Sequence, residues 1–190
     1  MLSQIASIVV DFVGGFFVLM FLLRFYFQLL RVPFRNQVGE FVIATTNWMV
    51  KPARRVVPSL LGLDLASLLC AWVLQAALLA LLLVVGGRDL SSAPAIAAGV
   101  LFALALVDLL QLSVKILLFV VILQAVLSWI NPGNPLQCVL DAITRPMLRP
   151  IRRFVPPIAN VDLSPLILIL VILVLLVPIA ELRQMAGGLF

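Results

Sequence analysis

Residues 52–65 read PARRVVPSLLGLDL, and residues 150–163 repeat the pattern as PIRRFVPPIANVDL. Each copy carries two adjacent arginines between prolines and ends in Asp-Leu, directly before a long apolar run. The same spacing aligns Thr46 with Thr144. An ungapped match of this length predicts an internal repeat, in which each copy consists of an apolar run, a basic loop and a second apolar run.

The composition around these loops is that of a membrane protein. Of 190 residues, 64% are hydrophobic and 11% are charged, and the mean hydropathy is +1.26. Soluble domains are roughly 45–50% apolar and about 25% charged. Because so little polar surface is available to cover a water-soluble core, we predict an all-α integral membrane protein.

Four apolar runs are long enough to span a bilayer, since about 20 residues cross a hydrocarbon core roughly 30 Å thick. We predict a first repeat over residues 1–90 and a second over residues 91–190. Each repeat has two spans joined by a loop that contains short amphipathic helices, and the repeat is parallel because each copy has an even number of spans. The apolar run of the third span begins at Ala93, and we place the start of that span at residue 103. The predicted spans cover residues 5–30, 65–85, 103–129 and 163–182.

The basic residues predict an orientation. Loops 31–64 and 131–162 hold five and four of them, whereas Arg88 and Arg183 stand alone in the remaining connections. Lysine and arginine accumulate on the cytoplasmic side of a membrane. We therefore predict that both basic loops are cytoplasmic and that both termini lie on the opposite side.

The prolines of the second loop predict short pieces of structure. Asn134 is expected to act as the N-cap of a helix over residues 136–143. Arg145-Pro146 is expected to end that helix, because the residue before a proline disfavours helical geometry. Pieces of this kind, apolar on one side and basic on the other, suit the headgroup boundary of a bilayer.

The paired arginines have two interpretations. They could make bidentate contacts with lipid phosphates or with an acidic partner protein. Alternatively, they only set topology and anchor the loop at the interface. The candidate binding residues are Lys51, Arg54, Arg55, Arg149, Arg152 and Arg153.

Asp64 and Asp162 directly precede apolar runs. Aspartate is a favourable N-cap, because its carboxylate accepts hydrogen bonds from the first free N–H groups of a helix. An ion pair with the neighbouring arginines is the alternative, and it would lock the loop to the span. The two roles are compatible.

Charges inside the spans support a second hypothesis. Asp11, Arg24, Asp108 and Lys115 lie within or near predicted spans, where each costs about 2.5–3.5 kcal/mol if it is central. Asp11 and Asp108, paired with Arg24 and Lys115 across the bundle, could line a polar path for ions. Alternatively, the four side chains lie near the ends of spans and reach the interface by snorkelling.

The sequence offers little for catalysis. It contains no histidine, and its two cysteines, Cys70 and Cys138, do not form a CxxC motif. It also lacks the G-x-S-x-G and H-E-x-x-H motifs of common hydrolases. We therefore predict no enzymatic activity, no metal site and no cofactor.

The doubled P-x-R-R-x-x-P pattern with its following Asp-Leu resembles the YggT (YlmG) family of small bacterial and plastid membrane proteins. The resemblance covers essentially the whole chain and implies a multi-pass protein of the bacterial cytoplasmic membrane without established enzymatic activity. It also implies links to osmotic or potassium homeostasis, to cell division and shape, and in plastids to nucleoid organisation and cytochrome assembly. The family tends to carry an arginine near the end of the first span of each repeat. Arg24 fills that place here, but the second copy has Gln124.

These features together predict a membrane scaffold or assembly factor. Its loops would bind anionic lipid headgroups or a membrane-protein partner, and the chain could form a homo-oligomer. We predict no direct contact with nucleic acid. The alternative is a small oligomeric ion channel or transport component that uses the intramembrane charges.

Overall fold

A computed structural model describes residues 2–32, 36–57, 63–87, 94–130, 135–154 and 162–187. The regular structure of these residues consists of six helices, so the predicted all-α fold is confirmed. The same arrangement of long helix, loop helix and spanning helix occurs twice along the chain. The helices are α1 (Leu2–Leu29), α2 (Gln37–Val56), α3 (Leu65–Val85), α4 (Pro94–Ile130), α5 (Pro135–Phe154) and α6 (Ser164–Gly187).

Four of the helices are long and apolar enough to cross a membrane, as predicted. Their surfaces expose large apolar side chains, such as Phe12 on α1 at 77% and Leu166 on α6 at 67%. Apolar surface of this extent needs lipid around it. The apolar segments are Gln4–Leu29, Leu65–Val85, Ala98–Ser128 and Ser164–Met185.

The spans pack in pairs, α1 on α3 and α4 on α6, and α3 packs on α4 to join the two copies. Gly14 allows the first pair to approach closely, because a Cβ atom there would overlap the side chain of Leu78. Small residues have this role between helices in membranes, where close backbone approach supplies the packing energy.

The third span is longer than predicted. Helix α4 has 37 residues, which corresponds to about 55 Å at a rise of 1.5 Å per residue. Its apolar segment begins at Ala98, five residues before the predicted start at residue 103. The helix is therefore longer than the thickness of a hydrocarbon core.

Helices α2 and α5, which we call the loop helices, connect the two spans of each copy. The predicted end of α5 at Arg145-Pro146 is wrong, because the helix continues through Pro146 and Pro150 to Phe154. Both prolines are exposed, and they lie four residues apart on one face. Each removes one backbone N–H, and on an exposed face water or headgroups can satisfy the carbonyl left without a donor.

Candidate functional site

A buried arginine is the centre of the first copy. Arg24 lies near the end of α1 and is only 6% exposed. Its Nη1 donates hydrogen bonds to Thr46 Oγ1 at 2.7 Å and to Asn47 Oδ1 at 3.0 Å, both on α2. Its Nε lies 3.4 Å from Asp64 Oδ2, at the beginning of α3. One guanidinium therefore contacts all three elements of the first copy.

Asp64 has both roles that the sequence suggests for it. Its carboxylate is 1% exposed and accepts from Arg54 Nη2 at 2.6 Å and from Ser67 Oγ at 2.7 Å. It is also the N-cap of α3, with the Ser67 backbone N–H 3.4 Å from Oδ1. We call this set the Arg24 cluster; it consists of Arg24, Thr46, Asn47, Arg54, Asp64 and Ser67.

Burial alone would raise the pKa of Asp64. The hydrogen bonds from Arg54 and Ser67 oppose this effect, as do the charges of Arg54 and Arg24. The net result is a pKa below the ordinary aspartate value. Asp64 is therefore held as a carboxylate, the form that both ion pairs and the N-cap require.

The second copy divides the same contacts into two separate sets. In the first set, the Thr144 hydroxyl lies 2.5 Å from Gln124 Oε1, and Gln124 Nε2 donates to Asp141. In the second set, Arg152 Nε donates to Asp162 Oδ2 at 2.8 Å. The side chains of Arg152 and Asp162 are 50% and 39% exposed, whereas Asp64 is fully enclosed.

Asp162 is placed to cap α6, since it accepts from the Ser164 backbone N–H at 2.9 Å. Partial burial raises the pKa of Asp162, but hydrogen bonding from Ser164 and the charge of Arg152 lower it below the ordinary value. The physical causes resemble those at Asp64, but water reaches Asp162 and screens its ion pair.

In each arginine pair, one member forms an ion pair and the other is exposed. Arg54 and Arg152 form ion pairs with an aspartate of their own copy. Arg55 and Arg153, the second member of each pair, are exposed. Lys51 and Arg149 are exposed on the same helices, close to large exposed apolar side chains such as Trp48 at 63% and Phe154 at 82%. Arg88 and Asn134, to which the sequence also assigns roles, lie outside the described residues.

The intramembrane charges do not meet as the ion-path hypothesis expects. Asp108 is 8% exposed and pairs with Arg183 on α6 rather than with Lys115. Gln75 Nε2 on α3 donates to Asp108 Oδ2 at 3.0 Å. Asp11 is exposed, and it belongs to no ion pair within the described part of the chain. We call Gln75, Asp108 and Arg183 the Asp108 cluster.

The Asp108 cluster and the Arg24 cluster lie at different levels of the bundle. Gln75 follows Asp64 by 11 residues along the continuous helix α3, which corresponds to a rise of roughly 16 Å. Lys115 is exposed, and no ion pair among the described residues includes it. Sequence reasoning did not assign roles to Gln75 and Arg183; a lone polar residue in an otherwise apolar run is the signal that marks Gln75.

Neither cluster is arranged like a metal centre. In the part of the chain that the structure describes, no three His, Cys, Asp or Glu side chains are placed to hold a metal ion. Cys70 is buried and Cys138 is exposed. The polar groups contact one another in ion pairs and hydrogen bonds that join helices.

The fold and its clusters define a four-span helical membrane protein, built from a duplicated unit with an amphipathic helix between its two spans. The CCB3/YggT family profile matches residues 3–85 and 103–182, one segment in each repeat. The chain therefore belongs to the CCB3/YggT family, which confirms the resemblance seen in the doubled loop.

Two bacterial relatives illustrate the extent of the similarity. The chain is 33% identical over 175 residues to the uncharacterized protein YggT of Escherichia coli K12, covering 91% of this chain and 88% of the relative. It is 32% identical over 163 residues to an uncharacterized protein of Vibrio alginolyticus, covering 85% and 86%. No solved structure matches the chain.

Proposed function

We propose that this protein is a non-enzymatic scaffold or assembly factor of the bacterial cytoplasmic membrane. Its loop helices lie at the cytoplasmic surface and bind anionic lipid headgroups or an acidic membrane-protein partner. The observation that carries this proposal is the division within each arginine pair. One arginine is held by an aspartate, and the other is exposed beside further basic and aromatic side chains.

The ion-paired arginine of each pair fixes the position of the helix that carries the exposed arginine. Arg54 ties α2 to the start of α3, and Arg152 ties α5 to Asp162, two residues before α6. The outer arginines are therefore presented from anchored helices instead of a flexible loop. Each basic residue near an anionic leaflet contributes about 1 kcal/mol of attraction. Exposed Trp48 and Phe154 add the apolar contact expected of a helix at the headgroup boundary.

The proposal is tested with the full-length protein in bilayers that contain a trace of spin-labelled lipid. We expect the protein to restrict phosphatidylglycerol more than phosphatidylcholine, with a preference that weakens as salt is added. Arg55→Ala with Arg153→Ala should reduce the preference, whereas Arg55→Lys with Arg153→Lys should retain most of it because the charge remains. An unchanged preference for phosphatidylglycerol in the alanine variant would show that the exposed arginines do not bind lipid and only set the topology.

The cellular process is proposed to be osmotic homeostasis or cell division, as the family resemblance implies. A strain that lacks the gene should grow poorly or divide abnormally after an osmotic upshift. The wild-type chain and the double lysine variant should restore normal behaviour, and the double alanine variant should not. Full complementation by the alanine variant would separate the process from the exposed arginines.

An ion channel is the second candidate, and the Asp108 cluster favours it because residues of three spans converge on one buried carboxylate. We rank it lower because Asp108 and Arg24 are both ion-paired and lie at different levels. Purified protein in liposomes would decide between the candidates. Flux that is lost in both Asp108→Asn and Arg24→Gln would support a channel, and flux equal to that of empty liposomes would exclude it.

A further inference from the structure

An apolar groove lies between the two copies on the side of the loop helices. It has a volume of about 180 Å³, and residues of α1, α4 and α5 line it. The lining is almost entirely apolar, with hydroxyl groups only from Tyr26 and Ser113. Apolar cavities of this size stay dry, because a water molecule needs two or more polar partners. An alkyl chain fits such a groove better than water or a polar ligand does.

A basic recess adjoins this groove around α5. Leu30 lines both spaces, and α5 contributes Ile143 and Met147 to the groove but Arg145 and Arg149 to the recess. The two arginines lie four residues apart, so they are neighbours on one helix face. Both are exposed, and no hydrogen bond or ion pair with another described residue is found for either guanidinium.

The first copy does not carry the two arginines of this recess. In the aligned loops, Asn47 stands where the second copy has Arg145, and Lys51 stands where it has Arg149. Asn47 also accepts a hydrogen bond from Arg24 and is therefore part of the Arg24 cluster. Of the two loop helices, only α5 carries two unengaged guanidiniums four residues apart.

We propose that the groove and the recess together form a binding site for one anionic phospholipid. One acyl chain lies between α1 and α4, and the headgroup phosphate is bound by Arg145 and Arg149. Guanidiniums suit this task because their planar donors match two phosphate oxygens at once. The α1 and α4 residues that line the groove belong to spans, so lipid chains surround its opening. The inference rests on the proposed function for the orientation of α5, and it adds a defined ligand at the junction of the two copies.

Native mass spectrometry of the full-length protein in detergent measures this site directly. We expect a complex with one phosphatidylglycerol that persists when phosphatidylcholine with the same acyl chains has dissociated. Arg145→Ala with Arg149→Ala should weaken the complex about a hundredfold, since each of the two lost charge-assisted contacts is worth roughly a factor of ten. Leu110→Trp should also weaken it by filling the groove, because Leu110 lines the groove while half-exposed.

Two controls make the result specific. Arg55→Ala with Arg153→Ala removes the same number of charges from the loop helices but none from the recess, and it should retain the one-lipid complex. Glycerol phosphate, which has the headgroup chemistry without an acyl chain, should not compete. Binding that survives both the arginine and the tryptophan variants would overturn the proposal, as would equal competition by glycerol phosphate.

The same variants keep this inference separate from the proposed function. Loss of bulk headgroup preference in Arg55→Ala with Arg153→Ala, with the one-lipid complex intact, supports both proposals. Loss of the complex in that variant would count against the groove, since neither residue lines it. Circular dichroism of each variant shows whether the helices are retained, and Arg145→Lys with Arg149→Lys should recover part of the affinity.

Discussion

The two copies of the repeat attach their loop helices in different electrical surroundings. In the first copy, a buried guanidinium links α1, α2 and the start of α3 through Asp64, which is 1% exposed. In the second copy, neutral Gln124 links α4 to α5, and a separate exposed ion pair links α5 to Asp162, just before α6. The aspartate of the same loop motif is therefore buried in the first copy and exposed in the second.

This difference determines how much each contact contributes to stability. Removing one partner of a buried ion pair costs about 3–5 kcal/mol, because the remaining charge is left without compensation in a medium of low polarity. An exposed pair contributes about 0–1 kcal/mol. We infer that the buried contacts of the first copy hold its helices rigidly together. In the second copy, Arg145 and Arg149 on α5 take no part in such contacts and are free to bind a ligand.

The strongest test of the comparison removes the polar residue of each first span. Arg24→Ala should lower the free energy of unfolding by about 3–5 kcal/mol, since Asp64 loses a buried partner. Gln124→Ala should cost less, about 2 kcal/mol, because it removes the hydrogen bond with Thr144 and the one to the exposed carboxylate of Asp141, each worth about 1 kcal/mol net. Unfolding of both variants by SDS titration in mixed micelles measures the two losses. Equal losses would show that the buried charge has no special role.

Removing the aspartates comes next in expected size. Asp64→Asn should cost about 3 kcal/mol, because Arg24 and Arg54 are both left without their carboxylate. Asp162→Asn should cost less than about 1 kcal/mol, since water already surrounds half of its ion pair. Because asparagine remains a good N-cap, the substitution isolates the ion pairs from the capping role. The same SDS titration measures both losses of unfolding free energy. A larger loss for Asp162→Asn than for Asp64→Asn would contradict the comparison.

The paired threonines give a smaller contrast. Thr46→Val should cost about 1.5–3 kcal/mol, because its hydroxyl accepts from a charged donor. Thr144→Val should cost about 1 kcal/mol, since its partner Gln124 is neutral. Valine keeps nearly the same shape, so packing changes little in either variant. The comparison would fail if the second substitution were the more damaging one.

Acid provides the smallest effect, and its sign follows from the direction of the pKa shift. The pKa of Asp64 is lowered in the folded protein, so its contribution is complete above the ordinary value of about 3.9 and is lost as pH falls through the lowered value. The stability difference between wild type and Asp64→Asn should therefore be constant near neutral pH and should shrink only below about pH 4. A difference that grew in acid would contradict the assigned ion pair.

Sequence reasoning was sufficient where contacts are local or periodic. The spans follow from apolar length, and the repeat follows from the doubled loop. The pairing of Asp64 with Arg54 joins residues 10 apart and was one of two predicted roles. The partners of Arg24 and Asp108 depend instead on how helices dock. Asp108 and Arg183 are 75 residues apart, and no pattern in the sequence connects them.

Proline shows why a local rule failed in α5. The rule that a proline ends a helix assumes that the lost hydrogen bond has no substitute. Pro146 and Pro150 lie on an exposed face, where solvent or headgroups replace it. Whether such a replacement is available depends on which face of α5 is exposed, and the sequence alone does not give that.

The bond between Arg24 and Asp64 also sets an order of events during synthesis. Arg24 is synthesised before its carboxylate partner, which follows about 40 residues later, and 40 residues take seconds at roughly 5–20 residues per second. During that interval α2 is synthesised but α3 is not, so the guanidinium gains Thr46 and Asn47 as partners before Asp64. The contact that joins the three helices of the first copy therefore cannot form before the start of α3 has been synthesised.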